Sequence, residues 1–128
     1  MLRASNKMVF HALWELMAHN LLTAVGGFHG VYSRLARTRV KNLVVEPGLE
    51  AEVCRAVSLA VSLFPRKVWC LQRSAVTVRL LREYGSKADF VVGYRPTPFF
   101  SHAWVEVDGR VVNDDSGYQR QLAILMRC

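Results

Sequence analysis

Apolar residues recur at steps of three and four through the first two-thirds of the chain, then switch to strict alternation. Residues 8–25 carry Phe10, Leu13, Trp14, Met17, Leu21 and Ala24 on one helical face, which predicts an amphipathic helix stopped by Gly26-Gly27. His11, Glu15 and His19 fall at i, i+4 and i+8 and are expected to form a polar edge beside that stripe. The same spacing could seat a metal, but nothing nearby supplies further ligands, so no metal is expected. Residues 28–41 predict a second, weaker helix with Val31 and Leu35 inward. After a connector ending in Pro47-Gly48, the positions Leu49, Val53, Ala56, Val57, Ala60 and Phe64 define a third helix, closed by Pro65. Glu50 and Glu52 suit its first turn, where the helix dipole favours negative charge. The central helix runs from Cys70 to about Tyr84, with Gly85 placed as a left-handed cap. Leu71, Ala75, Val76, Val78, Leu80 and Leu81 cover so much of it that it must lie inside, against a sheet.

The last third reads as strands. Ala88–Tyr94 is one, Pro96-Thr97-Pro98 is a rigid loop, and Ser101–Val107 pairs with Arg110–Val112 around Asp108-Gly109. A three-residue loop would set Glu106 opposite Arg110 and His102 opposite Asp114; a two-residue loop would pair Val107 with Arg110 and set His102 opposite Asp115. The first register is preferred because it brings opposite charges together, a gain of a few tenths of a kcal/mol to ~1. From Gly117 onward a short terminal helix is expected. The chain therefore reads as α+β: one domain over 1–128, with a helical part at 1–64 and a core at 65–128 whose central helix packs on a small antiparallel sheet.

Composition agrees with a globular chain: 128 residues, 52% hydrophobic and 21% charged. Seventeen Lys and Arg against ten acids give +7, which attracts acidic partners of any kind. Arg34, Arg37 and Lys41, with Arg39 alongside, form a basic stripe that is either a solvated face or a dock for an acidic peptide or protein. No aromatic interleaving or nucleic-acid motif accompanies it. Three cysteines with no CxxC spacing fit a reducing, cytoplasmic setting. His11, Glu15, His19 and Asn20 interrupt the first apolar stretch, which makes it a poor signal sequence and a poor membrane span.

Chemistry concentrates in the core. Cys70 opens a helix, where backbone N–H groups and the dipole favour a thiolate and could receive an oxyanion. His102 lies on a strand with a carboxylate expected across from it, which would fix the imidazole's orientation. Cys, then His, then Asp is the order of a nucleophile, its base and the group that orients the base. Each alone has a plainer reading: a buried thiol, a satisfied strand histidine, a turn aspartate. Cys54 is expected to be inert and buried. A non-enzymatic basic scaffold for an acidic partner is the rival from another class.

The stretches WCLQRSAVTVRLLREYG, VVGYRP and PFFSHAWVEVDGRVVND resemble the transglutaminase-like cysteine peptidases of lasso peptide biosynthesis, over about residues 66–115. The resemblance implies a papain-like fold variant with Cys70 as nucleophile, His102 as general base and acid, and Asp114 as orienting carboxylate. It implies removal of a leader from a ribosomally made precursor, with no cofactor. With no winged-helix-like segment at its front, the chain resembles the split form. It is then expected to work with a separate leader-binding protein and to pass the core peptide to a cyclase. Acyl transfer to an amine is the alternative reaction on the same fold. Trp69, Trp104 and Arg73 are candidate substrate-binding residues, and Arg34, Arg37 and Lys41 are candidate partner-binding residues.

Overall fold

The computed structural model describes residues 6–41, 48–96, 98–113 and 122–128. Helices α1 (Asn6–Arg37), α2 (Leu49–Leu63) and α3 (Cys70–Glu83) precede strands β1 (Ala88–Pro96), β2 (Phe99–Val107), β3 (Arg110–Val111) and β4 (Ala123–Arg127). The strands form one antiparallel sheet in the order β3-β2-β1-β4. Helix α3 lies against β1 and β2, and α1 and α2 pack on α3, so the fold is α+β with the central helix on a small sheet. Strand alternation explains the layering. Phe90, Val92, Ala103, Val105 and Val107 face the helices and meet Ala75, Val76, Val78, Leu80 and Leu81 of α3 in the main core. Val91, Trp104 and Leu122 make a smaller cluster on the other face. No described helix is long and apolar enough to cross a membrane.

As the sequence predicts, the helical stretch is interrupted at Gly26-Gly27: Gly27 takes φ 59, ψ −152, a conformation open to glycine, and a second helical segment follows the kink to Arg37, so α1 is two helices joined there. Three local expectations are corrected. The inward face of α1 is the other one. Met8, Ala12, Glu15, Leu16 and His19 are buried, while Phe10, Trp14, Met17 and Leu21 are exposed. The residues after Leu122 form a strand, not a helix: β4 covers the outer edge of β1, and Phe90 and Cys128 exchange two backbone bonds of 2.8 Å. An open strand edge is a strong template, and it outweighs weak helical periodicity.

The hairpin register is the third. Val107 pairs with Arg110 and Glu106 with Val111 around a two-residue turn, in which Asp108 (φ 53) and Gly109 (φ 77) are both left-handed. That turn has the twist two paired strands require, and its geometry outranks one surface charge pair. Glu106 instead accepts from Arg127 at 2.7 Å and from the Trp104 indole at 2.8 Å, while Arg110 bonds Glu50 at 3.1 Å. This is the register for which the sequence sets Asp115 opposite His102. Asp114 and Asp115 both lie outside the described residues.

A buried charge network explains the orientation of α1. Glu15 accepts from Arg79 Nε at 2.8 Å and Nη2 at 3.1 Å, and from Arg34 Nη2 at 2.9 Å. Arg79 also donates to Thr38 Oγ1. An unpaired carboxylate would be costly at this depth, so α1 settles on the face that meets α3 through Glu15. Burial alone would raise the Glu15 carboxyl, but the Arg79 bond and charge, with Arg34 and His19, hold it below the ordinary value. Ligand atoms of His11, Glu15 and Glu83 lie within 4.8 Å of one another. The two guanidiniums on Glu15 already supply the positive charge that a metal would bring.

Burial, reinforced by the Arg34 charge, lowers the fully buried His19 to about 4, so it is neutral at pH 7. In the unfolded chain it protonates near 6.5, so stability is full above that value and is lost as pH falls toward 4. The loss is about 3 kcal/mol at most. Glu15 adds a further loss below 4.5, as pH falls toward its lowered value. Urea unfolding at pH 7, 5.5 and 4 checks this, and His19→Leu should flatten the slope above pH 4.5.

Candidate active site

Cys70 is the first residue of α3, and its thiol is exposed. Trp69 precedes it in extended conformation (φ −82, ψ 161), and the Gln72 side chain accepts the Trp69 N–H at 3.2 Å. The first helical bond runs from Arg73 N–H to the Trp69 carbonyl at 2.9 Å. An indole has no acceptor, so Trp69 cannot cap the first-turn N–H groups around Cys70 through its side chain. Arg73 donates to Ser58 Oγ on α2 at 2.6 Å, fixing this end of α3 to its neighbour through a hydroxyl.

His102 sits in the middle of β2 between two rings of its own strand. Phe100 stacks at 6.2 Å and Trp104 at 6.3 Å, near-parallel in both cases. Across the sheet its partner is Gly93. A Cβ at Gly93 would come within 2.6 Å of the Trp104 ring and 3.0 Å of Leu122, so only glycine lets that indole lie flat over β1. Trp104 is 1% exposed, and it fills the outer-face core beside His102 instead of presenting a wall to substrate. Trp69 is exposed, with the Lys67 ammonium 4.1 Å above its ring.

Ser74, buried one turn into α3, joins the two elements by donating to the Ala103 carbonyl at 3.1 Å. Asn113 Nδ2 donates to Ser74 Oγ at 3.1 Å, and Asn113 Oδ1 accepts the Val105 N–H at 2.9 Å. The Asn113 amide thus takes over a ladder bond where β3 has ended. The Val112 carbonyl turns to the Cys54 thiol, which donates to it at 3.3 Å. Burial pushes that thiol up to about 11, so Cys54 is protonated at neutral pH.

Two clefts meet at this junction. One, of about 430 Å³, is lined mainly by Leu71, Val92, Tyr94 and Leu125, and is largely apolar. The other, of about 380 Å³, is lined by Val68, Arg73, Ser74 and Asn113, and is polar. Cys70, His102 and Ala103 line both. The structure therefore brings Cys70, His102 and Arg73 to one place. Cys70 and His102 thus border common clefts beside helix N–H donors that suit an oxyanion, while the imidazole stacks between Phe100 and Trp104 on the face of β2 opposite the one Ala103 presents to α3.

A family model described as "Transglutaminase-like superfamily" matches residues 13–127. The chain belongs to the transglutaminase-like superfamily. Within that family it is similar to the microcin J25-processing protein McjB of Escherichia coli, 39% identical over 56 residues. That match covers 44% of this chain and 27% of McjB, so the chain spans about a quarter of its curated relative. No solved structure matches this transglutaminase-like chain.

Ser74, Gly93 and Asn113 fall within the motif stretches, but the sequence reading gives none of them a role. A serine inside an apolar helix face and a glycine inside a strand were the available signals. Ser74→Ala strands the Ala103 carbonyl and the Asn113 amide, and should cost about 1–3 kcal/mol in urea unfolding. Gly93→Ala should cost a similar ~1–3 kcal/mol by overpacking against Trp104. In Gly93→Ala the near-ultraviolet circular dichroism of the displaced indole should change as well.

Proposed function

We propose that this chain is the catalytic unit of a cysteine peptidase that removes the leader from a ribosomally made lasso peptide precursor. The observation that carries the reading is the common wall: Cys70 and His102 line both clefts of a transglutaminase-like chain similar to a microcin-processing protein. The Cys70 thiolate attacks the scissile carbonyl, and first-turn N–H groups of α3 receive the oxyanion. His102 protonates the departing amine, leaving an acyl-enzyme thioester, and then takes a proton from the water that hydrolyses it. Asp114 orients the imidazole, with Asp115 as its competitor for that role. An amine in place of water would give acyl transfer, and product mass separates the two outcomes.

In this reading the chain acts in the cytoplasm with a separate leader-binding protein and supplies the freed core peptide to a cyclase. Arg34 is paired with Glu15 and lines, together with Arg37, Arg39 and Lys41, a cleft of about 560 Å³ in which the three unengaged by Glu15 would meet an acidic stretch.

Precursor cleavage, followed by mass spectrometry with the leader-binding protein present, tests the proposal. Cys70→Ala should abolish product, and His102→Ala should slow it by about 10²–10⁴. Asp114→Asn should slow it by a similar factor of about 10²–10⁴, with Asp115→Asn nearly silent; the reverse order would move the role to Asp115. Cleavage that persists in Cys70→Ala would sink the peptidase reading. Arg37→Glu with Lys41→Glu should weaken binding of the partner complex and spare the reactivity of Cys70.

A further inference from the structure

The outer face of α1 is apolar where a solvated helix should be polar. Phe10, Trp14, Met17 and Leu21 are 70%, 65%, 51% and 60% exposed. They follow one another at steps of four, three and four, the spacing of a helix–helix seam. Glu15 and His19 of this stretch point into the protein. The positions flanking the seam are His11, Leu13, Ala18 and Asn20, with no Asp, Glu, Lys or Arg among them. We propose that this seam pairs with the same seam of a second copy of the chain, in antiparallel two-fold fashion.

The pattern is self-complementary in that arrangement. Antiparallel pairing about the midpoint sets Phe10 against Leu21 and Trp14 against Met17, an aromatic ring against a flexible aliphatic or thioether side chain each time. Ala18 then meets Leu13, which permits close approach. The uncharged flanks bring no like charges together, and no charge code in the seam asks for a different partner. Most soluble oligomers are two-fold homodimers of this isologous kind. The four side chains present on the order of 450 Å² per copy, and with their flanks a pair buries roughly 1,000 Å². That is the lower limit for a specific interface, so a dissociation constant on the order of 10 μM is expected. The basic residues Arg34 to Lys41 follow the kink at Gly27 and are not part of the seam.

Sedimentation velocity of the intact protein, from about 2 to about 200 μM, tests the proposal. The weight-average mass should rise from monomer to dimer. Raising salt from ~0.1 to ~0.5 M should tighten the dimer a fewfold, because it screens the repulsion between two chains of +7. Trp14→Glu and Met17→Lys should each weaken association more than about tenfold, with unchanged circular dichroism since both sites are exposed. Mixing the two variants should restore part of the association, because antiparallel pairing sets one substituted position against the other. A monomer at the highest concentration, association indifferent to both variants, or association that weakens with salt would each overturn the proposal. None of these outcomes touches the reading of the Cys70–His102 site.

Discussion

The buried hydrogen bond from Ser74 to the Ala103 carbonyl ties the helix that opens with Cys70 to the strand that carries His102. A helix packed on a sheet through Ala, Val and Leu side chains alone can slide by fractions of an ångström at little cost. A buried hydroxyl with one geometrically suitable carbonyl cannot, because its desolvated partner would lose about 1–3 kcal/mol. Asn113 closes the arrangement by holding both Ser74 and the Val105 N–H, so helix head, strand and the segment after β3 share one set of bonds. Catalytic geometry demands this kind of constraint, since a small misplacement of nucleophile and base forfeits most of the rate.

The same logic operates at the opposite end of α3. Arg79 meets Glu15 there, and the buried Arg82 donates to carbonyls of Leu35, Ala88 and Cys128. One helix thus anchors α1, the start of β1 and the end of β4 through guanidiniums, and anchors β2 through a hydroxyl. Satisfying Glu15 has a consequence at the surface. The face of α1 that turns inward to meet Arg79 leaves the larger apolar residues, Phe10 and Trp14 among them, in water.

What was legible in the sequence followed from whether one signal ruled a segment. Helices α2 and α3 and strands β1 and β2 were readable because hydrophobic period, caps and turn residues agreed. Cys70 and His102 were readable as a pair of chemical types on a helix head and a strand, though periodicity said nothing of their sharing a cleft. The face of α1 was not readable, because Met8, Ala12 and Leu16 make a second apolar stripe and a distant arginine decides between the two. The hairpin register was misjudged where a charge pair was weighed above the left-handed geometry that Asp108-Gly109 favours. Strand β4 depended on a free edge that only the assembled sheet reveals. Ser74, Gly93 and Asn113 act through contacts 8 to 39 residues away in sequence, which no local pattern encodes.

Cooperation between Cys70 and His102 is the central claim, and an epoxysuccinyl probe tests it directly, because ring opening by a thiolate needs a proton from an adjacent imidazole. Intact-mass and peptide mapping should find one adduct, on Cys70, with Cys54 and Cys128 unlabelled. His102→Ala should lose that adduct while a simple alkylating agent, which needs no proton donor, still modifies Cys70. Equal epoxide labelling in the wild type and His102→Ala, or labelling at Cys54 or Cys128 instead, would contradict the account.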